Sequence, residues 1–193
     1  MIQQFADTLD EVQCRGLVEI VESMAAGGKA RMRRPATYMF GSDIGGNYRA
    51  AVLDALNACL GRIVTEKAPD TETLYVETVA LTVLGPGEGI PWHADNRELD
   101  ASGRWVPNEY PQRCLSAVAY LNGDFEGGEI VFDSQGMEIK PRAGLLVVFP
   151  SSHRYPHRVN PVSSGKRYAM GIWFTVHRWH ALLPERIPVR LPA

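Results

Sequence analysis

Three things that often fix a protein's partner or habitat are missing from this sequence. Neither charge dominates: 20 basic and 22 acidic side chains leave a formal net charge of -2. The overall basic excess that nucleic-acid or anionic-membrane binding leans on is therefore absent, and neither partner is expected. No long apolar run is present either. The longest stretch without a formal charge, Ala143 to His153, has eleven residues, whereas a bilayer crossing needs about 20 apolar ones. Cysteine is scarce, and Cys14, Cys59 and Cys114 form an odd set with no CxxC spacing. That matches neither a disulfide framework nor a thiolate zinc site and points to buried free thiols. The first basic residue is Arg15, so the leading residues lack the positive region and apolar run of a secretory signal, and a cytoplasmic protein is expected.

What is present describes a packed globular chain. Apolar residues make up 45% and charged residues 22% of 193, enough to exclude global disorder and to suggest one domain. Thr8 with Glu11 reads as a capping box, and Leu9, Val12, Leu17, Ile20, Val21 and Met24 follow at helical spacing until Gly27 and Gly28, predicting a helix over 8–26. Asn47 opens a second pattern of Val52, Leu53, Leu56, Cys59 and Leu60, with Gly61 as its C-terminal cap, predicting a helix over 47–60. The basic run Lys29 to Arg34 between them reads as a solvated loop rather than a nucleic-acid patch.

From Leu74 onward the pattern turns to strands. Leu74 to Leu84, Cys114 to Leu121, Glu129 to Phe132, Met137 to Lys140, Leu145 to Phe149, His157 to Asn160 and Arg167 to Val176 are the candidates, each bounded by Gly, Pro, Asn or Ser. A mainly β (α+β) fold follows, a sandwich or jelly roll buttressed by two N-terminal helices. The expected single domain comprises a helical buttress over about 1–62, a core over about 74–176 and a tail over 177–193. Asn96 to Gln112 interrupts the rhythm with seventeen residues of mixed charge and no period, and reads as a lid loop.

His93 and Asp95 form an HxD pair that extended backbone places on one side. Alone it is weak, since about 0.2 such pairs are expected by chance in this composition. Downstream, His157 is followed ten residues later by Arg167 across a turn at Ser163, Ser164 and Gly165. Two imidazoles and one carboxylate leave about three metal positions open, the arrangement suited to non-haem Fe(II) oxygen chemistry, whereas a structural zinc site closes all four of its positions. Such an ion can chelate one end of 2-oxoglutarate, and Arg167 offers the far carboxylate a planar, permanently charged fork. Strand alternation puts Ala169, Gly171 and Trp173 on the arginine's face, with small residues beside it. His153 reads as a surface histidine, His177 and His180 as packing or solvent contacts, and Trp92 and Trp173 as either core or pocket wall.

At this point the sequence resembles the Fe(II)/2-oxoglutarate-dependent dioxygenases of the prolyl hydroxylase type, over roughly Leu74 to Val176. Arg113 to Asn122, ending Tyr-Leu-Asn, followed by Asp124-Phe125-Glu126-Gly127-Gly128-Glu129, carries the likeness. With His93-Ala94-Asp95-Asn96 it is most similar to the leprecan-type prolyl 3-hydroxylase catalytic domain. The resemblance implies a double-stranded β-helix, with His93, Asp95 and His157 as iron ligands and Arg167 as the clamp on 2-oxoglutarate. Tyr120 is the implied hydroxyl partner of that clamp, and Ser116, of the same parity, a second contact. Fe(II), 2-oxoglutarate and O2 are the implied cofactors, with ascorbate as an auxiliary reductant. The implied reaction hydroxylates an unactivated carbon of a prolyl residue or proline-like substrate and releases succinate and CO2. The alternatives are a hydroxylase of a free amino acid or secondary-metabolite intermediate, or a non-catalytic jelly-roll binding or sensing module. Relatives that halogenate carry a small residue where Asp95 stands, so hydroxylation is expected. Many prolyl 4-hydroxylases have tyrosines shortly before the HxD, where this chain has Leu84 and Ile90.

Overall fold

A computed structural model describes residues 1–27, 36–40, 42–63, 73–182 and 187–188. The basic run Lys29 to Arg34 and much of the expected tail lie outside the described residues. In chain order the elements are β1 (Gln3–Phe5), α1 (Glu11–Ala26), β2 (Ala36–Met39), α2 (Arg49–Ile63), β3 (Thr73–Leu84), β4 (Ile90–His93), β5 (Arg97–Leu99) and β6 (Trp105–Pro107). They continue with β7 (Arg113–Tyr120), β8 (Glu126–Gly127), β9 (Ile130–Phe132), β10 (Met137–Ile139), β11 (Leu146–Pro150), β12 (His157–Val159), β13 (Val162–Ser164), β14 (Arg167–Thr175) and β15 (Ile187–Pro188).

The strands form a jelly roll. A large antiparallel sheet runs β1-β11-β7-β14-β3, with β2 and β15 both paired to β3, and a smaller sheet runs β10-β9-β12-β4. Alternation along β14 divides the work of the large sheet. Tyr168, Met170, Ile172 and Phe174 face a buried cluster built with Cys14, Leu17, Ile20, Val21 and Met24 of α1 and Val52, Leu56 and Cys59 of α2. Arg167, Ala169, Gly171 and Trp173 face the opposite way and line a cavity that residues of the smaller sheet complete. The helices thus close one face and leave the other for a site. None of the three cysteines is in a disulfide, and Cys14 and Cys59 are buried. Burial pushes the Cys59 thiol up to about 12, so it is an inert core group.

Several element boundaries differ from the sequence expectation. Helix α1 begins at Glu11, because Asp10 and Gln13 make the reciprocal capping box. The Thr8 hydroxyl donates instead to the Phe5 carbonyl, and Val12 is 72% exposed rather than on the core face. Helix α2 runs through Gly61 to Ile63, so that glycine is not its cap. The stretch 96–112 is an ordered hairpin, with β5 paired to β6. Asp100 fixes its turn by accepting from the Ser102 and Arg104 backbone N–H groups at 2.8 and 3.0 Å. No described helix is long and apolar enough to cross a membrane.

Candidate metal centre

His93 ends β4 and His157 begins β12, and the two residues face each other across that antiparallel pair. Gly89 permits this approach, since a Cβ there would lie 2.6 Å from the Val159 carbonyl oxygen. Each imidazole turns Nδ1 to the carbonyl two residues earlier in its own chain, His93 to Pro91 at 2.8 Å and His157 to Tyr155 at 3.2 Å. Donation from Nδ1–H leaves Nε2 of both rings as a free lone pair, the form a metal binds. Asp95 supplies the third group, its Oδ1 standing 3.7 Å from His93 Nε2. One ligand atom from each of the three residues falls within 4.8 Å of the others.

The surroundings favour the ligating protonation states. Burial drives the His157 imidazole towards its neutral form, against the pull of Asp95. Burial would raise the Asp95 carboxyl, but the two imidazoles, the Ser116 hydroxyl and the Trp173 indole together outweigh it and hold the group below its ordinary value. Ser116 donates to Asp95 Oδ2 at 2.6 Å and lies 2.7 Å from the Ser151 hydroxyl. Its proton is therefore given to the acid ligand, and its side chain also lines the cavity that holds Arg167. Ser151 gave no signal in the sequence, because the β7–β11 register alone brings it beside Ser116.

Arg167 is 2% exposed. Its Nε donates to the Gly128 carbonyl at 3.0 Å, and its guanidinium lies 4.9 Å from the centroid of the Tyr120 ring. Gly128 is obligatory on two counts: its φ is +70°, and a Cβ would meet Arg167 Cδ at 2.8 Å. Among the described residues no carboxylate lies within ion-pair distance of this guanidinium, whereas Arg113, towards the other end of β14, is matched to Glu77 at 2.9 Å. The Tyr120 hydroxyl is buried and, among the described residues, has no well-formed hydrogen bond, the Arg167 guanidinium being the charged group beside it. An unmatched buried cation beside an orphaned hydroxyl calls for an anion with acceptor oxygens. Thr82, Ala169 and Gly171 line the same cavity as Arg167 and the three metal-ligating candidates.

The donor set thus fits Fe(II), and the Arg167–Tyr120 end fits the far carboxylate of 2-oxoglutarate. His153 stands apart, against the Trp105 ring with centroids 6.2 Å apart. His177 and His180 flank the exposed Trp179 and are not in the group.

Comparison with known proteins agrees with this chemistry. The human prolyl 3-hydroxylase 2 is 43% identical over 94 residues, covering 45% of this chain and 13% of the human protein. The chicken prolyl 3-hydroxylase 1 is 39% identical over 97 residues, covering 46% of this chain and again 13% of the relative. Among solved structures, the 2OG complex of a viral collagen prolyl hydroxylase from Paramecium Bursaria Chlorella virus-1 matches with a TM-score of 0.67 at 19% identity, covering 90% of this chain and 94% of that one. A Trichoplax adhaerens prolyl hydroxylase, in complex with a hypoxia inducible factor oxygen degradation domain peptide fragment, matches with a TM-score of 0.64 at 20% identity, covering 95% and 87%. At those identities the solved structures speak for the fold. The family model of the 2OG-Fe(II) oxygenase superfamily matches residues 79–175, half of the chain and every group of the candidate centre, and the chain belongs to that superfamily.

Proposed function

We propose that the protein hydroxylates an unactivated carbon of a prolyl residue, consuming 2-oxoglutarate and O2 and releasing succinate and CO2. The observation that carries this reading is the shared cavity, in which a His93, Asp95 and His157 cluster sits with the buried, unmatched guanidinium of Arg167. The 43% identity to a prolyl 3-hydroxylase over 94 residues supports the choice of proline over other substrates.

Fe(II) with 2-oxoglutarate would supply the oxygen activation. The chain's own residues perform the rest. His93 and His157 keep Nε2 unprotonated by placing the proton on Nδ1, against backbone carbonyls. Ser116 occupies Asp95 Oδ2, which leaves Oδ1 on the histidine side. Arg167 and Tyr120 fix one end of the cosubstrate, and the β5–β6 hairpin shields the flank beside Asp95, where Asn108 donates to the Asp95 carbonyl at 3.3 Å. Positioning and water exclusion are what such a frame contributes to rate.

The test is an aerobic assay with Fe(II), 2-oxoglutarate and ascorbate, following succinate and a gain of about 16 Da on prolyl peptides. Coupled succinate and oxidised peptide are the expected result. Succinate without any oxidised prolyl product, alongside oxidation of another compound class, would reassign the substrate. No turnover and no cosubstrate binding would leave a non-catalytic module.

A further inference from the structure

On the helix side of the large sheet, away from the metal cavity, α1 and the turns at 121–124 and 143 enclose an open groove of about 750 Å³, within the size range of ligand sites. Tyr168 lines this groove while its chain neighbour Arg167 lines the cavity, so β14 separates the two. The floor of the groove is apolar, built from the buried Leu9, Cys14 and Leu121 with Val18 beside them. Its lining is otherwise acidic: Asp7, Asp10, Glu11, Glu19 and Asp124 stand against a single cation, Arg15. The whole chain has a net charge of only -2, so the concentration is local and not a property of the general surface. Arg15 is engaged by Glu11 at 3.5 Å, and Asp10 is spent on the cap of α1. Among the described residues no cation lies within ion-pair distance of the Asp7, Glu19 or Asp124 carboxylates.

These carboxylates are spread along the groove and not gathered at a point. Among the described residues only His93, Asp95 and His157 bring three ligand atoms within 4.8 Å of one another, so the groove offers no comparable seat for a metal ion. What complements spread negative charge over an apolar floor is a chain with separated cations and an apolar group between them. We infer that the groove docks an extended segment of a partner polypeptide, carrying two basic side chains four residues apart and an aliphatic side chain midway. The spacing follows from the helix. Glu11, Arg15 and Glu19 recur every four residues and share one face of α1. Glu11 and Glu19 are thus about 12 Å apart along the axis, and an extended peptide covers about 13 Å in four residues. Its side chains i, i+2 and i+4 project to one side. One cation then meets Asp7 and Glu11, whose exposed pair with Arg15 holds it weakly, the other meets Glu19, and the aliphatic group meets Val18 and Leu121. A free polyamine supplies the cations but no branched apolar group for the floor. The inference stands apart from the prolyl reading, since the groove and the metal cavity lie on opposite faces of β14.

The experiment measures, by anisotropy, binding of a fluorescein-labelled Ser-Arg-Ala-Leu-Ala-Arg-Ser peptide to the whole chain, loaded anaerobically with Fe(II) and 2-oxoglutarate. Glu19→Gln should weaken the peptide about threefold, and Asp7→Asn combined with Glu19→Gln about tenfold. Asparagine suits position 7, where φ is +50°. Arg15→Gln, which removes the lone cation of the groove, should tighten binding by about threefold, a sign that damage to the fold does not produce. Glu138→Gln, at an exposed carboxylate on β10 outside the groove, should change nothing. A peptide with serine in place of its leucine should bind at least about fivefold more weakly. Equal affinity in wild type, the double variant and Arg15→Gln overturns the inference, as does a wild type that fails to bind the peptide. Binding of the serine peptide or of spermidine as tightly as the leucine peptide also overturns it, by reducing the groove to a general cation trap. The two readings fail separately. Oxidised prolyl peptides without docking of this one sink the groove alone, whereas docking by a chain that never turns over sinks only the prolyl reaction.

Discussion

His93 and His157 face each other on neighbouring strands with ring centroids 4.3 Å apart, and each donates its Nδ1–H to a carbonyl two residues back in its own chain. The repetition of one local device on two strands means the site is formed before any ion arrives. Anaerobic addition of Fe(II) or Co(II) should therefore stabilise the folded protein without refolding it. At free metal about one hundred times Kd, the gain is about 2.7 kcal/mol, several degrees in melting temperature. His93→Ala should abolish both that gain and turnover while its far-UV circular dichroism stays β-rich. An unfolded His93→Ala protein would instead assign the metal a structural role.

The Ser116 hydroxyl links Asp95 to Ser151 in a buried chain. Removing it in Ser116→Ala strands a carboxylate oxygen and a serine hydroxyl away from water. Metal affinity should fall ten- to a hundredfold, as when a group that orients a ligand is lost, and folding stability by about 1–3 kcal/mol. A metal titration that leaves affinity unchanged would show that Asp95 needs no such support.

Much of this centre is legible in the sequence because it follows strand alternation. Arg167, Ala169, Gly171 and Trp173 share a face by parity, and the HxD spacing sets His93 and Asp95 on one side. The Ser116 contact was not legible, since parity says which way a side chain points and not which partner it meets. The strands β1, β2, β5 and β6 have only three or four residues each. A period of two cannot declare itself over so short a span, and their pairing partners define them. The helix start differs from the sequence expectation for a related reason. Two overlapping capping patterns compete at residues 8–13, and the Thr8 backbone N–H is bound to the Gly144 carbonyl, which only the tertiary fold supplies.

Arg167→Met offers a test of the unmatched cation. A buried guanidinium without a carboxylate partner carries a desolvation penalty, and an apolar side chain of similar length does not. The variant should melt no lower than wild type without cosubstrate, the lost bond to Gly128 being offset by the relieved charge. It should lose the thermal shift that 2-oxoglutarate gives the metal-loaded wild type, and the KM for 2-oxoglutarate should rise at least a hundredfold. A retained shift would place the far carboxylate elsewhere.

Glu77 and Arg113 present the opposite case, a buried pair at 2.9 Å, with the Arg113 guanidinium lying 3.8 Å from the Tyr110 ring centroid and 4.6 Å from that of Trp173. Glu77→Ala leaves Arg113 charged and unpaired against the ring that backs Asp95. The expected loss is about 3–5 kcal/mol of folding stability, read by urea denaturation, whereas replacing both residues by apolar ones should lose much less. Equal losses in the single and double variants would mean that packing, not charge, holds this corner.

Part of the acid sensitivity should trace to Glu22, which ties α1 to β14. The Tyr168 hydroxyl and then Lys166 bond its carboxylate and hold it below the ordinary glutamate value. A group whose folded-state pKa is depressed contributes stability above its unfolded value, about 4.3, and loses that contribution as pH falls through the folded one. Wild-type stability should therefore drop between about pH 5 and 3 more steeply than that of Glu22→Gln, whose amide cannot titrate. The two curves should converge at the acid end of the window. Parallel curves across the window would show that other carboxylates govern acid unfolding. The contrast is kept small by the site's exposure, since the Glu22 side chain is 45% accessible and solvent screens its bond to Lys166.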